Sequence, residues 1–97
     1  MTLPEPVERA ASLFGVLSHP ARVHVVALLI EEEPRTVGDL VEHTGVERTL
    51  LSHQLRALRE ARLVTREREG RRHLYRLADA HVAHIVRDAL AHVVEPG

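Results

Sequence analysis

Between Thr36 and Leu58 two apolar-periodic segments meet at one glycine, and this junction constrains the chain more than any other stretch. Thr36-Val37-Gly38-Asp39 has the form of a capping box with Asp in place of the usual Glu, opening a short helix through Leu40 and Val41 that ends near Gly45. Beyond the glycine, Leu51, Leu55 and Leu58 repeat at i, i+4 and i+7. That spacing predicts a second helix from about Glu47 with a buried seam, leaving Thr49, Ser52, His53, Gln54 and Arg56 exposed. A short helix, a tight glycine turn and a second helix with a polar outer face make a helix-turn-helix pattern.

The flanking segments complete a small helical body. In residues 4–17, Val7, Ala10, Ala11, Leu13, Phe14 and Leu17 have helical spacing. Ser18-His19-Pro20 reads as an N-cap with proline in the first turn of a central helix, which is apolar nearly all round from Val23 to Ile30 and stops at Glu31-Glu32-Glu33-Pro34. Residues 63–68 and 73–77 are short β-compatible runs around Glu69-Gly70-Arg71, a hairpin with a basic tip in which Gly70 supplies the positive φ. Val82, Ile85, Val86, Ala89, Leu90, Val93 and Val94 predict a last helix over 80–94. The expected fold is mainly α with a small β-hairpin, ordered α-α-α-α-β-β-α, in a single domain over residues 1–97. A chain of 97 residues buries only roughly 60–65% of its unfolded surface. Val7, Leu13 and Phe14, with Val82, Ile85, Ala89 and Val93, offer more apolar face than one copy covers, so a dimer through the first and last helices is expected.

Charge is divided sharply along this chain. Residues 1–47 carry three Arg against eight acids, residues 48–76 nine Arg against three acids, and residues 77–97 one Arg against three. The net charge of −1 argues against indiscriminate coating of nucleic acid, whereas the basic middle block suggests one surface aimed at a polyanion. One Phe and one Tyr leave no stacking platform for single strands, so duplex DNA is the expected target. The absence of cysteine excludes disulfides, thiolate metal sites and a cysteine nucleophile. No apolar run is long enough to span a bilayer, and Met1-Thr2-Leu3-Pro4-Glu5 lacks the basic start and apolar core of a signal peptide; a cytoplasmic, membrane-free protein is expected.

Leu17-Ser18-His19-Pro20-Ala21-Arg22, Val37-Gly38-Asp39-Leu40, the run from Leu51 to Val64, and Glu69-Gly70-Arg71-Arg72-His73-Leu74-Tyr75-Arg76-Leu77 together resemble the signatures of the ArsR/SmtB family of winged-helix bacterial repressors. The likeness covers almost the whole chain, and Ser52-His53-Gln54-Leu55 followed by the glycine-tipped wing is its most specific part. It implies a homodimer that binds double-stranded operator DNA and blocks transcription until a metal lowers its DNA affinity. Thr49, Ser52, His53, Gln54 and Arg56 suit phosphates and major-groove base edges, and Arg66, Arg68, Arg71 and Arg72 of the hairpin suit backbone phosphates. Two positions depart from the family's habit: Glu47 stands where a capping Ser is common, and Leu50 where a small polar residue is common.

Three of the eight histidines, His81, His84 and His92, fall on the last helix with Asp79, Asp88 and Glu95 near them. Eleven residues bring His81 and His92 to nearly the same helix face but roughly 16 Å apart along the axis, too far for one ion with bonds of about 2.0–2.2 Å. A shared site therefore needs a second, antiparallel copy of the helix, setting Asp79 and His81 beside the other copy's counterparts of His92 and Glu95. The same spacing is similar to the dimer-interface zinc site of SmtB-like sensors, and the resemblance makes Asp79, His81, His92 and Glu95 the metal ligands. Zn2+ suits two imidazoles and two carboxylates, as does Co2+, while His84 as an extra ligand would suit Ni2+. His53 is assigned to DNA; His19, His24, His43 and His73 are assigned to cap, core or surface roles. An interaction module working with a partner protein is the rival reading. A His-based metallohydrolase is disfavoured, because a closed four-ligand site leaves no position for water and no HExxH motif exists, so no enzymatic activity is expected.

Overall fold

A computed structural model describes residues 2–96, one residue short of the expected domain span at each end. The elements are α1 (Glu5–Val16), α2 (Pro20–Glu31), β1 (Arg35–Thr36), α3 (Val37–Thr44), α4 (Arg48–Glu60), β2 (Val64–Glu69), β3 (Arg72–Leu77) and α5 (Ala80–Val94). The expected order is present, with β1 added. The strands form an antiparallel sheet in the order β1-β3-β2, with Thr36 opposite Leu74 and Glu69 opposite Arg72. Gly70 and Arg71 are thus the two-residue hairpin loop, and Gly70 takes φ +62 as expected.

The core gathers around α2. Val25, Val26 and Leu29 of α2, Leu40 of α3 and the α4 seam Leu51, Leu55 and Leu58 are fully buried. Each such Leu is worth about 1.5–3 kcal/mol relative to exposure, so α4 is fastened by its seam while its other side stays free. Val82 and Val86 of α5, Tyr75 of β3 and Leu63 close the cluster. α1, which meets α2 at 94°, has no fully buried residue.

Helix ends show why the elements stop where they do. Thr36 Oγ1 accepts from the Asp39 N–H at 3.1 Å, half of the expected capping box, but the Asp39 carboxylate turns instead to Arg35 Nη1 at 2.8 Å. Arg35 is buried, and its Nε donates to the carbonyls of Leu28 and Glu32, which fixes the end of α2 to the start of α3. Ser18 does not cap α2: its Oγ donates to the Gly15 carbonyl at 2.6 Å, finishing α1, and His19 holds the N-cap position without a side-chain bond. α4 ends with the Leu63 N–H on the Leu58 carbonyl and the Arg62 N–H on the Arg59 carbonyl, the paired bonds of a Schellman motif. Its left-handed position is filled by Arg62, φ +61, where glycine is usual.

Candidate nucleic-acid interface

α4 begins at an unusual cap. The Glu47 carboxylate accepts from the Leu50 N–H at 3.0 Å. Hydrogen bonding from the backbone of Thr49 and Leu50 holds its carboxyl below the ordinary value of 4.5. A negative cap complements the positive end of the helix. It also sets a carboxylate beside the outward-facing groups.

The burial of Leu51, Leu55 and Leu58 turns Thr49, Ser52, His53 and Arg56 outward, and all four are exposed. Arg56 Nε meets Glu60 Oε1 at 3.0 Å on open surface, a pairing weak enough to yield to a phosphate. Leu50 is exposed between Thr49 and the seam. Gln54 departs from the expected exposed face. It is half-buried, and its Oε1 accepts from Arg22 Nε at 2.6 Å. Helical spacing alone could not reveal this, because the partner lies 32 positions away.

In the wing, Arg66, Arg68, Arg71 and Arg72 are all exposed. Arg68 Nε donates to the Gly70 carbonyl at 2.9 Å and Arg72 Nη2 meets Glu69 Oε1 at 3.1 Å, whereas Arg66 and Arg71 have no ion-pair partner among the described residues. Wing and helix-turn-helix converge on a cleft of about 310 Å³ lined by Gly38, Arg48, Arg71, Arg72 and His73 with Thr36 and Val37. Arg48 is not among the residues that helical periodicity marks. Its place directly after the Glu47 cap, on the first turn of α4, is the signal that could have found it. Three guanidiniums facing one cleft beside the start of α3 make a surface suited to polyanion backbone.

The second candidate group is split between the ends of α5. Asp79 is its N-cap, with Oδ1 accepting from the Val82 N–H at 3.1 Å and lying 3.7 Å from His81 Nδ1. His81 is 92% exposed in its side chain. His92 in the last turn and Glu95 just beyond it are exposed, as is His84. Asp79 and His81 are therefore brought together, His92 and Glu95 lie at the far end, and no three potential metal-binding side chains cluster among the described residues.

Residues 19–66 match the family model described as bacterial regulatory protein, arsR family. The chain is 45% identical over 91 residues to the HTH-type transcriptional repressor SmtB of Mycobacterium tuberculosis, covering 94% of this chain and 67% of that protein. The chain belongs to the arsR family. Among solved structures, Rv0081 of M. tuberculosis matches at 34% identity and a TM-score of 0.80 over 95% of each chain. The homodimeric winged helix-turn-helix DNA-binding domain Mb0332 of Mycobacterium bovis matches at 30% identity and 0.77, covering 97% of this chain and 88% of that one. This arsR-family chain is a winged helix-turn-helix transcriptional repressor that binds DNA, and it is not an enzyme. Among the described residues no single helix is long and apolar enough to cross a membrane.

Proposed function

We propose that this repressor acts as a homodimer joined through α1 and α5, reads a two-fold operator with the outer face of α4 and the wing, and is released when zinc is held between the paired α5 helices. The observation that carries the metal half is the distribution of donors on α5. Two exposed pairs, Asp79 with His81 and His92 with Glu95, stand at opposite ends of one 15-residue helix, so an antiparallel second copy completes two identical sets. The donor chemistry fits: two imidazoles and two carboxylates, with Asp79 Oδ1 accepting from the helix it caps and lying 3.7 Å from His81 Nδ1. Zinc, when bound, supplies a cation that joins the α5 helices of the two subunits. Cobalt would suit the same donors, and His84, one turn from His81, is the added ligand through which nickel would be favoured.

The dimer half is supported by an apolar surface that one copy leaves uncovered. Phe14 is 58% and Val93 73% exposed, and a cleft of about 340 Å³ runs between them over Leu17, Val23, Ile85 and Leu90. Across α4, Thr49, Ser52, His53 and Arg56 take the base-edge and nearby phosphate contacts, while Arg66, Arg68, Arg71 and Arg72 take phosphates. Coupling between metal and DNA is a free-energy difference between dimer geometries, typically about 1–3 kcal/mol, and operator DNA must weaken metal binding by the same factor.

The test is a mixed dimer of one His81→Ala chain and one His92→Ala chain. Both defects then fall in the same shared site, and the other site keeps all four ligands. One zinc per dimer is the expected stoichiometry. No tightly bound zinc would overturn the antiparallel arrangement, and two would show that neither histidine is a ligand. His84→Ala in the same titration separates the metals: loss of nickel affinity alone favours nickel.

A further inference from the structure

The recognition helix is held from behind by one guanidinium. Arg22, in the first turn of α2, donates from Nε to Gln54 Oε1 at 2.6 Å and from Nη1 to the carbonyl of Val16 at 3.0 Å, both partly shielded from water. Val16 is the last residue of α1, so its carbonyl has no partner within its own helix. The planar fork of an arginine holds two acceptors in fixed relative directions, which an ammonium cannot do. Gln54 lies on α4 beside the seam residues Leu51, Leu55 and Leu58 and next to the outward-facing Ser52 and His53. The seam fastens α4 to the core, and this link ties the same helix to the end of α1, so a change here bears on how the outer face of α4 is set.

We propose that Arg22 is a positioning residue for operator recognition and that Gln54 serves this link rather than reading a base. The Arg22 guanidinium fixes the setting of α4 against the C-terminal end of α1, whose outer side chains Val7 and Phe14 are apolar and uncovered. The inference rests on the DNA-binding role of α4. A glutamine that reads adenine turns its amide oxygen and nitrogen together to the base edge, and here the half-buried amide is turned through its oxygen to Arg22. Releasing it would leave a half-buried guanidinium N–H unpaired, at a cost comparable to what the base contact returns.

The experiment uses the full chain and three DNA probes: a duplex selected by the wild-type protein from a randomised pool, a scrambled duplex of the same composition, and single-base-pair variants of the selected one. Arg22→Ala and Gln54→Ala are each expected to lower affinity for the selected duplex about tenfold, with the double variant no weaker than either single one. Affinity for the scrambled duplex should hardly change, and the loss of discrimination should spread over every base pair that α4 senses. A protected Arg22 Nε–H resonance is expected in the wild-type spectrum and should vanish in Gln54→Ala. Should Arg22→Ala fail to fold, Arg22→Lys replaces it in the cycle with the same expected non-additivity. Additive losses, reaching about a hundredfold in the double variant, would overturn the proposal. So would loss of discrimination at a single base pair in Gln54→Ala, the mark of a base reader. If the wild-type chain selects no duplex, the DNA-binding reading falls with it, and that result is distinct from additivity.

Discussion

Glu47 joins the capping of α4 to acidity. Its carboxyl titrates below the ordinary value of 4.5 because the charged form accepts backbone N–H groups in the fold. A depressed folded value means that the stabilisation is fully present above the unfolded value and is lost as pH falls through the folded one. A serine at this position caps without titrating. Wild-type protein should therefore lose melting temperature relative to Glu47→Ser below about pH 4.5, with a constant difference above pH 6, as thermal unfolding across that range would reveal. A constant difference down to pH 3 would remove the titrating cap. The sequence made Glu47 conspicuous at the start of α4, and the outward set Thr49, Ser52, His53 and Arg56 was legible because Leu51, Leu55 and Leu58 fix the helix phase. Gln54 was not. Its environment is set by Arg22, 32 positions earlier, and periodicity reports which face a residue lies on but not which distant side chain meets it.

Among the elements, two helix boundaries followed from residue type, while Ser18, expected to cap α2, instead finishes α1 on the Gly15 carbonyl. Gly45 in the left-handed region ends α3 and Pro20 opens α2, both readable from residue type. β1 was unreadable. Two residues carry no alternation, and Arg35–Thr36 is a strand only because β3 lies alongside it. The end of α4 was equally hidden, since no glycine marks it and Arg62 takes the left-handed position itself. A non-glycine residue there carries a cost of about 1 kcal/mol, and the exposed Arg62 side chain has no packing to lose. Arg62→Gly should stabilise the fold by up to about 1 kcal/mol, raising the melting temperature by roughly 4–8 °C. Unchanged or lowered stability in denaturant unfolding would mean that the arginine has a compensating contact.

Across the whole molecule, the apolar surface asks for a second copy. Phe14→Glu should weaken the proposed dimer by about 2 kcal/mol or more, visible as monomer in sedimentation at micromolar concentration. A wild-type chain that sediments as a folded monomer there would remove both the dimer and the shared α5 sites. α1 has a further consequence of its own. None of its side chains is fully buried within its own subunit, so in the proposed dimer the protection of its amide hydrogens against exchange with solvent depends in part on the partner copy, whereas amides on α2 and α4 are shielded by the subunit core. Exchange in α1 should then speed up as the protein is diluted, while exchange in α2 and α4 keeps its pace. The first helix thus works as a clock for subunit separation, and deuterium uptake there, followed with and without zinc or operator, reads how each ligand changes the lifetime of the assembled pair.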